Sequence, residues 1–180
     1  MIVVTGSART GTSMIMQTLV KLGYKPVSPK FSNVHDNIRG YNPKGFYDIE
    51  DINDIEKLTD ESGEVVKIFG SCLDRINFEI VDKLIMVLKS AKEAVASSIP
   101  VFKAMGEDVE GQELDIYMGN YKLILDFIDQ NPSIPVLGIE YSMMVEDPEN
   151  IIKEIARFLG CNTNPIEAIN NINTEELCPH

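Results

Sequence analysis

The sequence predicts a three-layer α/β fold, in which helices flank a parallel sheet. Residues 2–4 form an apolar run that continues through a glycine-containing loop into an amphipathic stretch ending at Leu22, which indicates a strand, a loop and a helix in succession. Further apolar, β-branched runs alternate with helical patterns along the chain, and such alternation is typical of a parallel sheet. Because 180 residues suffice for one unit with a substantial core, we expect residues 1–180 to form a single domain.

The less regular elements lie in the first half of the chain. Residues 23–45 are polar and rich in turn-forming residues, so we expect a long loop at the active site. Residues 48–58 place isoleucines on one helical face and acids on the other, which predicts a helix. The β-branched and aromatic run at 65–69 predicts the second strand.

The second half of the chain carries clearer signals. The predicted elements are strands over residues 83–89 and 134–140 and helices over 90–105 and 114–128. Pro100 is expected to kink or end the first of these helices. The last clear helix is predicted to have Asp147 as its N-cap, Pro148 at its first position and Gly160 at its end. Residues 165–172 can form one more short helix.

The loop after the first strand has the spacing of a phosphate-binding P-loop. Gly6 and Gly11 are five residues apart, and the hydroxyl residues Thr12 and Ser13 close the loop where the helix begins. Thr12 stands where an ATP-hydrolysing P-loop has lysine, so the charge of a bound phosphate must be neutralised from elsewhere. Arg9, inside the loop, is the available cation.

Charge excludes one large class of partners. The chain has 16 Lys and Arg against 28 Asp and Glu, a net charge of −12, so we do not expect nucleic acid as a partner. The ligand should therefore be small, or its acceptor uncharged. Because basic side chains are scarce, those beside the predicted P-loop carry more weight. They are Arg9, Lys44, Lys67 and Lys89.

Composition also bears on location and on metal binding. No apolar stretch approaches the length of a membrane span, and Met1 runs directly into the first strand without the pattern of a secretory signal. We therefore expect a cytoplasmic protein with no membrane partner. Cys72, Cys161 and Cys178 lie far apart and lack nearby histidine ligands, which indicates reduced thiols and no zinc. The sequence leaves the oligomeric state open.

Four separated segments together carry a family resemblance. They are residues 4–13 (Val-Thr-Gly-Ser-Ala-Arg-Thr-Gly-Thr-Ser), residues 41–48 (Tyr-Asn-Pro-Lys-Gly-Phe-Tyr-Asp), residues 84–89 followed by Ser97, and residues 136–160. In this order, and over nearly the whole chain, they resemble the P-loop sulfotransferase family, particularly its short bacterial-type members.

The resemblance implies a P-loop nucleoside triphosphate hydrolase-like fold and a sulfotransferase. The donor would be 3′-phosphoadenosine 5′-phosphosulfate, and its sulfuryl group would pass to a hydroxyl or amine of a small acceptor, with no metal required. Lys89 and Ser97 would bind the 3′-phosphate of the donor, with Lys89 in place of the family's arginine. The residues implied to bind the 5′-phosphosulfate are Arg9, Thr10, Gly11, Thr12 and Ser13.

Catalysis is expected to depend on positioning and charge neutralisation, as in phosphoryl transfer. We assign Arg9 and the amides of residues 10–13 to the bridging and sulfuryl oxygens, and Lys67 to the leaving phosphate or the sulfuryl group. The family's strand ending in Lys-Thr-His is matched here by Lys-Ile-Phe beginning at Lys67, so the usual histidine base is missing. Asp48 is the favoured general base, with Glu50 and His35 as further candidates.

Two other functions stay open at the level of sequence. A small-molecule or nucleotide kinase would use Ser13 and Glu140 as magnesium ligands, although the absent P-loop lysine counts against it. A non-catalytic nucleotide-binding protein would account for Phe69 in place of the histidine. It would also account for the lack of the family's Arg-Lys-Gly loop after Gly160.

Overall fold

In the part of the chain that the structure describes, four parallel strands form a sheet at the centre of the molecule. A computed structural model describes residues 1–31, 36–49, 51–107, 109 and 111–161. The strands are β1 (Ile2–Gly6), β2 (Val65–Phe69), β3 (Lys83–Leu88) and β4 (Val136–Glu140), arranged in the order β2, β1, β3, β4. Every pairing is parallel, as predicted. Every residue of β1 is buried, because β1 has a strand on each side and a packed layer on each face.

Helices cover both faces of this sheet and complete the three layers. The helices are α1 (Thr12–Lys21), α2 (Ala91–Met105), α3 (Glu113–Gln130), α4 (Tyr141–Glu146) and α5 (Pro148–Leu159). Residues of α1, α4 and α5 pack against Val4 and Ile85 on one face. Residues of α2 and α3 pack against Val3 and Leu84 on the other. Consecutive strand residues point to opposite faces, so each strand contributes to both cores.

The last helix begins and ends as predicted. The side chain of Asp147 accepts a hydrogen bond from the Asn150 amide, Pro148 occupies the first turn, and Gly160 follows the helix with a φ of 71°. The prediction that Pro100 ends α2 is wrong, because the helix continues to Met105, and the alternative of a kink stays a prediction. Because proline has no amide hydrogen, the Ala96 carbonyl loses its helical hydrogen-bond partner. Ala96 and Pro100 are both exposed, so water can donate a hydrogen bond to that carbonyl.

The helix predicted over residues 48–58 is wrong. Only Ile52–Lys57 is helical, as a short 3₁₀ segment capped by the side chain of Asp51. Asp48 instead lies in extended backbone and forms a parallel bridge with Lys67 in β2. Pairing with the sheet edge overrides the local helical pattern there. Short segments that carry too little periodicity to be predicted are α4 and the 3₁₀ turns at Arg39–Tyr41, Gly70–Arg75 and Phe78–Ile80.

Described residues of the loop predicted over 23–45 pair with the sheet and pack into the core. Pro26 forms a bridge with Val65 at the start of β2. Ile38 and Phe46 are buried in a small cluster with Val101 of α2. The predicted helix at 165–172 and the residues His35, Glu50 and Cys178 lie outside the described residues.

Candidate functional site

A cleft of about 140 Å³ opens at the carboxyl ends of β1, β2 and β3. Ligands of open α/β sheets bind at this edge, where loops leave the strands. The P-loop and α1 form one side of the cleft, and residues 41–48 form another. Phe69 and Lys89, which stand at the ends of β2 and β3, and Tyr141 at the start of α4 complete it. Segments far apart in the sequence therefore meet at one site.

The P-loop conformation depends on its two glycines. A Cβ atom on Gly6 would lie 2.6 Å from Oγ1 of Thr10. Gly11 has a φ of 102°, and a Cβ atom there would lie 2.6 Å from the ring of Tyr141. Thr10 is fully buried, and its hydroxyl donates to the Ser7 carbonyl at 2.8 Å. Thr10 therefore shapes the loop with its side chain, which leaves only its backbone amide for a ligand.

Arg9 is the cation of the loop, and its guanidinium group can bind an anion. Its backbone is left-handed, with a φ of 64°, and its side chain lines the cleft. Among the described residues, its buried Nε finds no hydrogen-bond acceptor. A buried donor without a partner is costly, and an anionic oxygen in the cleft would supply the missing acceptor. The residues present thus fit a phosphate or sulfate group at this loop.

Lys67, Asp48 and Ser13 form a connected polar group in the cleft. The Lys67 side chain is 3 % exposed and forms an ion pair with Asp48, whose side chain is 18 % exposed. The Lys67 ammonium also donates to Oγ of Ser13 at 3.1 Å, and that hydroxyl donates to the Phe46 carbonyl at 3.2 Å. Protein atoms thus hold the Ser13 hydroxyl, while its amide lies at the helix N-terminus that faces the cleft.

The environment of Lys67 changes its protonation. Burial lowers the pKa of Lys67 below its ordinary value of 10.5, and the Asp48 carboxylate only partly opposes this effect. The positive charge of Arg9 lowers the pKa further. A buried lysine with a depressed pKa beside a carboxylate in a cleft is typical of a functional site.

Lys89 is held at the end of β3 by tyrosines of α3. The Tyr117 hydroxyl donates to the Lys89 carbonyl, and the Tyr121 hydroxyl donates to the Val87 carbonyl at 2.6 Å. Burial raises the pKa of Tyr121, so this hydroxyl stays protonated as a donor. The Lys89 ammonium lies 4.2 Å from the ring centroid of Tyr141. Sequence analysis missed both α3 tyrosines, although their four-residue spacing on a predicted helix is a usable signal.

Ser97 is not among the residues that line the cleft. It lies on α2, and its hydroxyl donates to the Ala94 carbonyl at 3.0 Å. The pairing of Ser97 with Lys89 at a 3′-phosphate therefore stays a prediction.

Residues 42–48 are anchored on α1. The side-chain amide of Gln17 donates to the Gly45 carbonyl at 3.2 Å and to Oδ1 of Asn42 at 3.3 Å. Asn42 in turn donates to the Gly45 carbonyl at 2.7 Å and closes the turn. Sequence analysis missed Gln17, although it lies one helical turn after Ser13 and so faces the same segment. These contacts fix the backbone that leads to Asp48.

Phe69, which stands where the family has histidine, lines the cleft, with the Lys67 ammonium 5.3 Å from its ring centroid.

Within the described ranges, no three His, Cys, Asp or Glu side chains come together as a metal site. Across that same part of the chain, no helix combines the length and the apolar character needed to cross a membrane.

Comparisons with known proteins agree on one family. The family model described as "Sulfotransferase domain" matches residues 1–176. No curated protein matches the sequence significantly.

Solved structures provide the comparison at the level of fold. The fold is similar to the sulfotransferase domain from the Synechococcus PCC 7002 olefin synthase, at 15 % identity and a TM-score of 0.57, covering 98 % of this chain and 78 % of that one. It is equally similar to the sulfotransferase domain from the curacin biosynthetic pathway, at 14 % identity and a TM-score of 0.57, covering 96 % and 77 %. The predicted family resemblance and the predicted α/β fold class are both confirmed.

Proposed function

The chain belongs to the sulfotransferase domain family, and we propose on this basis that it transfers a sulfuryl group from 3′-phosphoadenosine 5′-phosphosulfate to a hydroxyl or amine of a small acceptor. Family and fold support a transferase. The donor, the acceptor class and the roles of individual residues are part of the proposal.

The observation that supports the proposal most strongly is the meeting of two unlike groups in one cleft. The P-loop presents Arg9 and the N-terminus of α1, which suit an anion. Lys67 and Asp48, which line the same cleft, form an ion pair with each other. A cation with a carboxylate beside an anion-binding loop can stabilise a transferred group and accept a proton from an attacking hydroxyl.

Donor binding is assigned to the loop and to the end of β3. The amides of residues 10–13 and the Arg9 guanidinium would hold the phosphosulfate. Lys89, positioned by Tyr117, would meet the 3′-phosphate, and Ser97 is retained in that role as a prediction.

Transfer is an in-line displacement at sulfur. The acceptor oxygen forms a bond to sulfur while the bond between sulfur and the phosphate oxygen breaks, and the acceptor proton passes to Asp48. Arg9 and Lys67 offset the negative charge of the sulfuryl oxygens and of the leaving bisphosphate. Ser13 holds the Lys67 ammonium in position at 3.1 Å.

A transfer assay tests the proposed function. The protein is incubated with the phosphosulfate donor and a panel of small alcohols, phenols and amines, and products are identified by mass spectrometry. We expect a sulfated acceptor together with 3′,5′-adenosine bisphosphate in equal amount. Binding of the bisphosphate without product from any acceptor would instead favour a non-catalytic nucleotide-binding protein, which Phe69 at the position of the family histidine would explain.

The pKa of Lys67 predicts the alkaline limb of activity. Only the protonated ammonium offsets negative charge, so activity is present below the pKa of Lys67 and is lost as the pH rises through it. Because that pKa is lowered from 10.5, we expect kcat/KM for an alcohol acceptor to fall at a pH below 10.5. In Lys67→Arg the side chain stays charged, so the fall should move to higher pH. An identical alkaline limb in wild type and Lys67→Arg would contradict this role.

A further inference from the structure

The cleft extends along α1 from the donor loop to the far end of that helix. The P-loop lies at the N-terminus of α1, whereas Lys21 is its last residue. At 1.5 Å per residue, the eight steps from Ser13 to Lys21 span about 12 Å. Both residues line the same cleft, so the cleft has a donor end and a far end.

The charge of the cleft is opposite to that of the chain. The whole chain has 28 acidic and 16 basic residues. Among the described residues that line the cleft, Asp48 is the one acid, and the basic ones are Arg9, Lys21, Lys44, Lys67 and Lys89. The proposed donor site and transfer chemistry employ three of these five cations. Lys21 and Lys44, at the far end, have no part in them.

Lys21 belongs to a polar stripe on α1. Ser13, Gln17 and Lys21 follow one another at four-residue spacing, so they share one face of the helix. Ser13 contacts the Phe46 carbonyl, and Gln17 contacts the Gly45 carbonyl. This face of α1 therefore contacts residues 42–46 through Ser13 and Gln17. Lys21 lies on the same face one turn beyond Gln17 and lines the cleft there.

Lys44 is carried by the turn that Gln17 anchors. The Gly45 amide donates to the Asn42 carbonyl at 3.0 Å, and the Asn42 side chain closes the same turn. The like charge of Lys44 lowers the pKa of Lys21, as a second cause after partial burial. Lys21 and Lys44 both line the cleft. The Gln17 contacts hold the turn that carries Lys44 against α1, so both side chains lie at this end of the cleft.

We propose that the acceptor is itself an anion, with its hydroxyl or amine at Asp48 and Lys67 and a carboxylate or phosphate group near Lys21 and Lys44. The separation between the reacting atom and the anionic group is on the order of 10 Å, from the length of α1 between Ser13 and Lys21. This inference rests on the proposed sulfotransferase function. It assigns the far end of the cleft to acceptor recognition.

Matched acceptor series test the proposal. One series consists of ω-hydroxyalkanoates of increasing length, with their methyl esters as neutral equivalents, and a second consists of ω-hydroxyalkyl phosphates. We expect kcat/KM of the best acid to exceed that of its ester about tenfold, which is within what two partly exposed ion pairs contribute. The better of the carboxylate and phosphate series identifies the anionic group.

Substitutions of Lys21 and Lys44 test whether these residues recognise the anionic group of the acceptor. The double variant Lys21→Ala, Lys44→Ala should lose the preference for the acid and keep the rate with the ester. Charge reversal in Lys21→Glu, Lys44→Glu should transfer the preference to ω-amino alcohols. Lys122→Ala is the matched control, because Lys122 is exposed on α3 and does not line the cleft.

The outcomes separate this proposal from the proposed function. Equal kcat/KM for acid and ester in wild type would overturn the anionic acceptor and leave the sulfotransferase intact. A preference that persists in both double variants would also overturn it, since the anion would then be recognised elsewhere. Failure to bind 3′,5′-adenosine bisphosphate together with no transfer to any acceptor would overturn the proposed function and this inference with it.

Discussion

Arg9→Ala is expected to weaken binding of 3′,5′-adenosine bisphosphate at least about 100-fold, since two hydrogen bonds to a charged phosphate contribute about 1.5–3 kcal/mol each. The loss should appear in a calorimetric titration as a binding isotherm too weak to fit. The fold should hardly change, because the Arg9 Nε meets no hydrogen-bond acceptor among the described residues. We therefore expect a melting temperature within about 2 °C of wild type.

Two further variants make the Arg9 result specific. Arg9→Lys keeps the charge without the planar fork and should bind at an intermediate affinity. Arg75→Ala removes an exposed arginine that pairs with Glu56 at 3.1 Å, away from the cleft, and should bind like wild type. Unchanged affinity for the bisphosphate in Arg9→Ala would contradict the assignment of the donor site to the P-loop.

Asp48→Asn is expected to lower the rate of transfer by about 10²–10⁴, the usual contribution of a positioned general base. Binding of the bisphosphate should stay within about threefold of wild type, because the P-loop and Lys89 are untouched. Asp54→Asn, which alters an exposed acid paired with Lys57, is the matched control and should retain full activity. Transfer at the wild-type rate in Asp48→Asn would mean that another group takes the acceptor proton.

The same substitution also breaks an ion pair in which Lys67 is buried and Asp48 is mostly buried. Removing one partner of such a pair leaves an uncompensated charge and lowers the free energy of unfolding by about 3–5 kcal/mol, and Asn, which keeps a polar contact, should give the lower end. In Lys67→Met, Asp48→Asn both charges are removed, so stability should recover relative to either single variant. Denaturant unfolding measures these values. If the double variant recovers stability but not transfer, removing the Lys67 and Asp48 charges stops the chemistry without unfolding the chain.

Local patterns predict the scaffold of this protein well. The apolar run before Gly6 and the glycine spacing of the loop are sufficient to predict β1, the P-loop and α1. These signals depend only on residues that are close in the sequence. The same holds for α5, where Asp147, Pro148 and Gly160 each signal a helix boundary.

Chemistry that depends on long-range pairing is less predictable. The helix predicted over 48–58 is wrong because Asp48 pairs with Lys67 in β2, and no local pattern reports such a contact. The Lys67 ammonium, the Asp48 carboxylate and the Ser13 hydroxyl come from three segments that only the sheet brings together. The sequence points to Lys67 and Asp48 for separate reasons, and only the fold shows their ion pair.

The most direct test of the central claim is calorimetric titration with 3′,5′-adenosine bisphosphate beside 5′-AMP and magnesium ATP, on wild type and Lys89→Ala. A donor site for 3′-phosphoadenosine 5′-phosphosulfate predicts that wild type prefers the bisphosphate over both other nucleotides. In Lys89→Ala, affinity for the bisphosphate should fall to that for 5′-AMP, whose own affinity should not change. Binding of magnesium ATP without binding of the bisphosphate would contradict the sulfotransferase account and favour a kinase.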